Sequence, residues 1–187
     1  SLLSIVSRAL VPATRLILVV GGEPPKFSSQ EFVPVRHIPD NQPGFGPLAA
    51  VRDGLRWIWH EHSKSLPQFV ILSACDLPSI KPSLVSEMVD RFPHDLLSTK
   101  WVIPEVGKRL QYLFSVCRPT MLQPLDSFFA AGGRDFRSFV HYLQEHESTS
   151  IHVISDAIWR TIDPNACAGS DIDTPADLAL YTGDASH

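Results

Sequence analysis

Cysteine is scarce and badly spaced for covalent or metal work: Cys75, Cys117 and Cys167 are the only three, far apart and with no C-x-x-C pair. An odd, scattered set disfavours a disulfide framework or a cysteine-ligated zinc site and fits a reducing, cytoplasmic setting. No run of 18 uncharged apolar residues occurs, so no membrane span is expected. The N-terminus lacks the basic-then-apolar layout of a secretory signal. Positive charge is also thin. Sixteen Lys+Arg face 20 Asp+Glu, a net charge of −4 with no Lys/Arg run, which leaves no field to hold a nucleic-acid backbone or an anionic membrane. Neither H-E-x-x-H, G-x-S-x-G nor G-x-x-x-x-G-K-[ST] is present, which sets aside the corresponding zinc, serine and P-loop chemistries.

What is there is an ordinary globular composition, 187 residues with 44% hydrophobic and 19% charged content. That length predicts one domain, residues 1–187, able to bury roughly 70% of its unfolded surface without a staple. Ser1 to Leu10 reads as a helix already under way, with Leu2, Leu3, Ile5, Val6, Ala9 and Leu10 on one face. Arg15 to Val20 is an unbroken apolar run closed by Gly21-Gly22, the pattern of a strand buried on both faces. Glu31 to Ile38 is a second extended run, its Pro34 suggesting an edge position. A loop from Pro39 to Gly46 is dense in turn residues, and Pro47 then opens a helix to about Lys64. Further along come a strand at Phe69–Leu72, a helix at Pro82–Phe92, and two strands, Trp101–Ile103 and Leu110–Val116, around a turn at Gly107. Helices at Pro119–Ala131 and Phe136–Gln144, a strand at Ile151–Ile154 and a terminal helix opened by Asp171–Leu178 complete the reading. Strand and helix alternate through the first half, which predicts an α/β fold with a mainly parallel sheet covered on both faces, to which the strand pair around Gly107 adds an antiparallel element.

Open parallel sheets bind ligands at the carboxyl ends of their strands. That rule selects Gly21-Gly22, the loop from Asp40 to Leu48, and Asp76. Gly44-Phe45-Gly46-Pro47-Leu48-Ala49 matches G-x-G-x-x-A only formally, because a turn separates it from the preceding strand and Asp76 lies 30 residues past Gly46. What survives is close backbone approach at glycine and free N–H groups at a helix start, which favour an anion or a base edge. Turn geometry alone is the alternative. Asp76 is a carboxylate at the tip of an otherwise apolar strand; it either caps a turn or holds a hard cation such as magnesium beside substrate phosphates. Asp171 and Asp173 lie on the same side of an extended segment, a second candidate metal contact.

Taken together, Asp40-x5-Gly46-Pro-Leu-Ala-Ala-Val-x-x-Gly-Leu55, Phe69 to Pro78, Gly107 to Phe114, Gly132-Gly-Arg134 and Asp173-Thr-Pro-Ala-Asp-Leu178 resemble the molybdenum cofactor guanylyltransferases, the MobA-type enzymes. The resemblance runs in order over essentially the whole chain. It implies a three-layer α/β/α nucleotidyltransferase that transfers GMP from GTP to Mo-molybdopterin and releases pyrophosphate. It implies Asp76 as the magnesium ligand beside the nucleotide, with Asp173 as a second, and Gly21, Asp40, Gly46, Pro47 and Leu48 as nucleotide contacts. Arg109, Gln111 and Asp171 fall on the acceptor side. Molybdoenzymes or other cofactor-biosynthesis proteins are the partners it implies, with no nucleic acid and no membrane. Gly21 stands where the family often has Asn, Tyr112 replaces a proline, and Asp171-Ile-Asp173 stands for the usual Asn-x-Asn, a form similar to the molybdopterin cytidylyltransferases. The family's glycine-rich L-A-G-G loop, with its Arg-Met-Gly and Lys, and the strand before it are not among these 187 residues. Truncation, omission and loss of that loop are the alternatives, and without it weak or no activity is expected. A molybdopterin cytidylyltransferase or another small-molecule nucleotidyltransferase, such as a nucleotide-sugar transferase using Asp171 and Asp173, and a noncatalytic cofactor-binding module are the competing readings.

Overall fold

The computed structural model describes residues 1–24, 33–93 and 98–165. In chain order the elements are α1 (Leu2–Leu10), β1 (Ile17–Val20), β2 (Val35–Ile38), α2 (Pro47–Glu61), β3 (Val70–Ser73), α3 (Pro82–Asp90), β4 (Trp101–Val106), β5 (Arg109–Leu110), β6 (Phe114–Cys117), α4 (Leu122–Ala130), α5 (Phe136–His146), β7 (Ile151–Ile154) and α6 (Asp156–Ile162).

β1 and β2 pair in parallel from Ile17↔Val35 to Val20↔Ile38. The other strands form a sheet in the order β3-β6-β4-β5, with β7 on β4. β3, β4 and β7 all run the same way, because β3 and β4 are each antiparallel to β6 while β4 and β7 are parallel. The expected mainly parallel sheet therefore carries two reversed strands, β6 between β3 and β4 and the short β5 beside β4. The cause is local. Gly107 (φ +57) and Lys108 (φ +66) are both left-handed, the pair of conformations that closes a two-residue hairpin matched to strand twist. The chain therefore turns straight back, whereas a parallel return needs a crossover of about a dozen residues.

Side-chain alternation along the strands builds three layers. Trp101, Ile103, Leu72 and Cys117 enter a core with Leu48, Leu55, Leu125, Phe139 and Leu143 of α2, α4 and α5. Val102, Phe114, Val116 and Ile154 enter a second core with Val6, Leu84, Met88 and Trp159 of α1, α3 and α6. Burial pushes the Cys117 thiol far above its ordinary range, so it stays a protonated packing group.

Several boundaries differ from the sequence reading for identifiable reasons. The helix expected over Pro119–Ala131 is a short 3-10 turn, Pro119–Met121, followed by α4 from Leu122. Restarting there puts Pro124 in the first turn, where a missing N–H breaks no bond. The strand expected over Leu110–Val116 is split by a turn closed by Phe114 N–H donating to the Gln111 carbonyl at 3.2 Å. That turn frees Tyr112 to stack on Phe136, with ring centroids 5.0 Å apart. α2 stops at Glu61 rather than Lys64, and Trp59 near its end is 38% exposed. α6 was not expected; it seats Trp159 under the sheet. The terminal helix at Asp171–Leu178 lies outside the described residues.

Candidate active site

The first half of the site forms where β1 and β2 end. Gly21 N–H continues the parallel ladder by donating to the Ile38 carbonyl at 2.9 Å. Its φ of +74 and a Cβ position only 3.2 Å from Asp40 Cβ both demand glycine there. His37 Nε2 lies 3.1 and 3.3 Å from the Gly21 and Gly22 carbonyl oxygens. Carbonyls only accept, so that nitrogen carries the proton and pins the turn. Asp40 Oδ1 accepts from Gln42 N–H at 2.8 Å, a local turn that holds the carboxylate beside Gly21.

The loop then runs into α2. Asn41 N–H donates to Asp53 Oδ2 at 3.0 Å, tying the loop to the helix two turns further on. Gly44 (φ +88) and Gly46 (φ +80) turn the chain around Phe45. Gly46 is the N-cap and Pro47 the first helical residue, and no side chain caps the end. First-turn backbone donors and the positive end of the helix dipole therefore face whatever sits above this turn. Leu48 is 0% exposed, so it can meet a ligand only through its backbone. Gly54 lets the helix lie close on β1, with its Cβ position 3.4 Å from Val20 Cγ2.

The second half lies at the carboxyl end of β3. Pairing of Ser73 with Phe114 and donation from Ala74 N–H to the Leu113 carbonyl at 2.8 Å bring the Cys75-Asp76 turn beside residues 111–113. Gln111 N–H donates to the Pro104 carbonyl at 2.9 Å, so Gln111 and Asp76 share one edge of the sheet. Arg109 is exposed on the adjacent hairpin, and its carbonyl accepts from Gln111 Nε2 at 3.4 Å. Asp76 is half-buried, and among the described residues its carboxylate has neither a hydrogen bond nor an ion pair. No group of three or more His, Cys, Asp or Glu able to hold a metal occurs among the described residues. A lone carboxylate suits magnesium, which takes one or two protein acids and completes its shell with phosphates and water.

The two halves border a single core, in which Leu48 and Ala49 of α2 pack with Leu72, Leu110, Tyr112 and Leu113. Asp171 and Asp173 lie outside the described residues. Sequence reasoning passed over Asp53, Arg52, Arg56 and Asp126. Arg56 Nη2 pairs with Asp126 Oδ1 at 2.6 Å across the α2–α4 contact. Arg52 lies 4.0 Å over the Phe129 ring, and burial first, then Arg56, holds its pKa below the ordinary arginine value. Apolar periodicity gives no signal for Arg52 and Asp53, which belong to the buried face while breaking its pattern, nor for Arg56 and Asp126, which pair outside it.

The comparisons with known proteins agree with this architecture. The family model of the MobA-like NTP transferase domain matches residues 1–149. A protein of Chloroflexus aggregans named "Probable molybdenum cofactor guanylyltransferase" is 32% identical over 151 residues, 79% of this chain and 64% of that protein. One of the same name from Trichormus variabilis is 29% identical over 142 residues, 74% of this chain and 58% of that protein. The chain thus spans about three fifths of the length of these relatives. Among solved structures, molybdopterin-guanine dinucleotide biosynthesis protein A from Archaeoglobus fulgidus aligns with a TM-score of 0.64 at 16% identity, over 96% of this chain and 83% of that one. The 2-C-methyl-D-erythritol 4-phosphate cytidylyltransferase of Thermus thermophilus aligns at 0.60 and 16% identity, over 99% and 89% of the two chains. These structural likenesses establish the nucleotidyltransferase-like α/β fold. No helix among the described residues is long and apolar enough to cross a membrane. With the family model covering most of its length, the chain belongs to the MobA-like NTP transferase family.

Proposed function

We propose that this chain is the nucleotide-handling part of a molybdenum cofactor guanylyltransferase, which transfers GMP from GTP to Mo-molybdopterin. An oxygen of the acceptor's terminal phosphate bonds to the α-phosphorus, the bond to the bridging oxygen breaks, and pyrophosphate leaves. The observation that carries this reading is Asp76, a half-buried acid with no hydrogen-bond or ion-pair partner among the described residues, at the strand end where α/β sheets bind ligands. Identity to relatives named as guanylyltransferases supports the choice of reaction.

Each part has a role that follows from its chemistry. Gly21 and Gly46 let the backbone approach the nucleotide, Asp40 accepts hydrogen bonds from it, and the first turn of α2 at Pro47 and Leu48 faces its negative charge. Asp76, with Asp173, holds magnesium. When bound, that ion neutralises phosphate charge, which is most of what phosphoryl transfer asks of a protein. Arg109, Gln111 and Asp171 hold the acceptor. The scattered cysteines are the ground for a cytoplasmic setting, where molybdoenzymes or other cofactor-biosynthesis proteins would receive the product.

The test is pyrophosphate release by the full gene product with GTP, Mo-molybdopterin and magnesium, with CTP and ATP in parallel. GTP-dependent release is expected. Preference for CTP would reassign the base, and nucleotide binding without release would leave a noncatalytic cofactor-binding module.

A further inference from the structure

The turn ahead of α2 carries an aromatic ring that does not enter a core. Phe45 is 47% exposed and sits between two left-handed glycines, Gly44 and Gly46, a turn with two pivots and little apolar burial to hold it. A cation meets the ring. Arg134 Cζ lies 5.4 Å from the Phe45 centroid and 5.2 Å from that of Phe129. Arg134 Nη1 also donates to the Phe129 carbonyl at 2.9 Å, which anchors the guanidinium to the end of α4. Among the described residues no carboxylate pairs with Arg134 within ion-pair distance; aromatic faces and carbonyl oxygens surround it instead. The route to this position is restricted. Gly132 has φ +94, and any Cβ at Gly133 would run into the Phe128 ring, so the two glycines deliver Arg134 past α4 toward the turn.

We propose that Arg134 and Phe45 form a clasp that holds the Gly44–Gly46 turn, and with it the uncapped start of α2, in the conformation that takes the nucleotide. Arg134 is thus a positioning residue acting through Phe45. The proposal rests on the reading that this turn binds the nucleotide. An exposed cation–π contact changes a two-state population by about two- to fivefold. Apparent affinity falls in proportion to the clasped fraction that is lost.

Magnesium–GTP affinity is measured by calorimetry on the full gene product and on Phe45→Leu, Arg134→Ala, the double variant and Phe45→Tyr. Amide exchange at residues 44–46 is followed in the same proteins without ligand. Either single change is expected to raise the exchange rate about two- to fivefold and the dissociation constant by a smaller factor with that change as its ceiling. The double change should add nothing to the larger single effect, and Phe45→Tyr should match the parent protein. In turnover, KM for the nucleotide should rise while kcat holds. A weakened Arg134→Ala beside an unaffected Phe45→Leu would mean that Arg134 meets the ligand directly, which overturns the clasp. Unchanged exchange in both single variants overturns it as well. Raised exchange in both single variants, beside a parent protein that binds no nucleotide, would leave the clasp standing and reject the nucleotide site.

Discussion

Gly21 and Gly22 form a natural experiment on the nucleotide turn. Both are left-handed, at φ +74 and +65, but a Cβ on Gly21 would sit 3.2 Å from Asp40 Cβ, while one on Gly22 meets nothing within 4 Å. Alanine at either position carries the left-handed penalty of about 1–2 kcal/mol. For a chain of this size each kcal/mol lowers Tm by about 2–4 °C. Gly21→Ala must in addition push Asp40 away, straining the 2.8 Å bond from Gln42 N–H, a loss of about 0.5–1.5 kcal/mol. Thermal melts should therefore place Gly21→Ala below Gly22→Ala, and both below the parent. Nucleotide binding should separate them further. If Asp40 contacts the nucleotide, its displacement should weaken binding about tenfold, the equivalent of one lost hydrogen bond of about 1.4 kcal/mol, whereas Gly22→Ala should bind nearly as the parent does. Coincident melting and binding curves for the two variants would refute the claim that Gly21 is reserved for Asp40.

Other substitutions test the frame around the site. Gly133→Ala drives a Cβ into the Phe128 ring, so its urea midpoint should fall by the equivalent of about 1–3 kcal/mol of overpacking. Asp53→Ala leaves the Asn41 N–H without its acceptor; a loss of about 1–3 kcal/mol is expected by chemical denaturation, with faster amide exchange at Asn41. Asp135 caps α5 by accepting from Ser138 N–H at 2.9 Å, and that bond first of all holds its carboxyl below the ordinary value of 3.8. A depressed acid contributes stability above its unfolded value and loses it as pH falls through the folded one. Asp135→Asn keeps the cap and removes the titration, so the stability gap between parent and variant should narrow as pH is taken below 3.8.

The strands were legible where composition alone decides them. Arg15 to Val20 and Phe69 to Leu72 are too short and too apolar to be anything but strands, and β1 and β3 lie within a residue or two of those runs, although only Ile17 and Leu72 in them are buried. Pro47 marked the start of α2 because a helix tolerates proline only in its first turn. The antiparallel turn at Gly107 was legible, but strand order was not. Nothing in Trp101–Val116 announces that β6 inserts between β3 and β4, since its four buried residues read like those of any central strand. α6 was hidden because its burial rests on Trp159 alone. At the site, glycine and proline pointed to the turn, and Asp76 stood out as a polar break after an apolar run. Asp53 and the partners of Arg134 depend on tertiary contacts of α2 with its loop and with α4, and local pattern does not encode them.

The central claim is that Asp76 is committed to the reaction and not to the fold. Pyrophosphate release from GTP in the presence of Mo-molybdopterin and magnesium, measured on the full gene product and on Asp76→Ala, tests it directly. The half-buried side chain has no hydrogen-bond or ion-pair partner among the described residues, so the variant should melt within about 2 °C of the parent while its turnover falls by ~100-fold or more. An Asp76→Ala protein that turns over as the parent does would contradict the account.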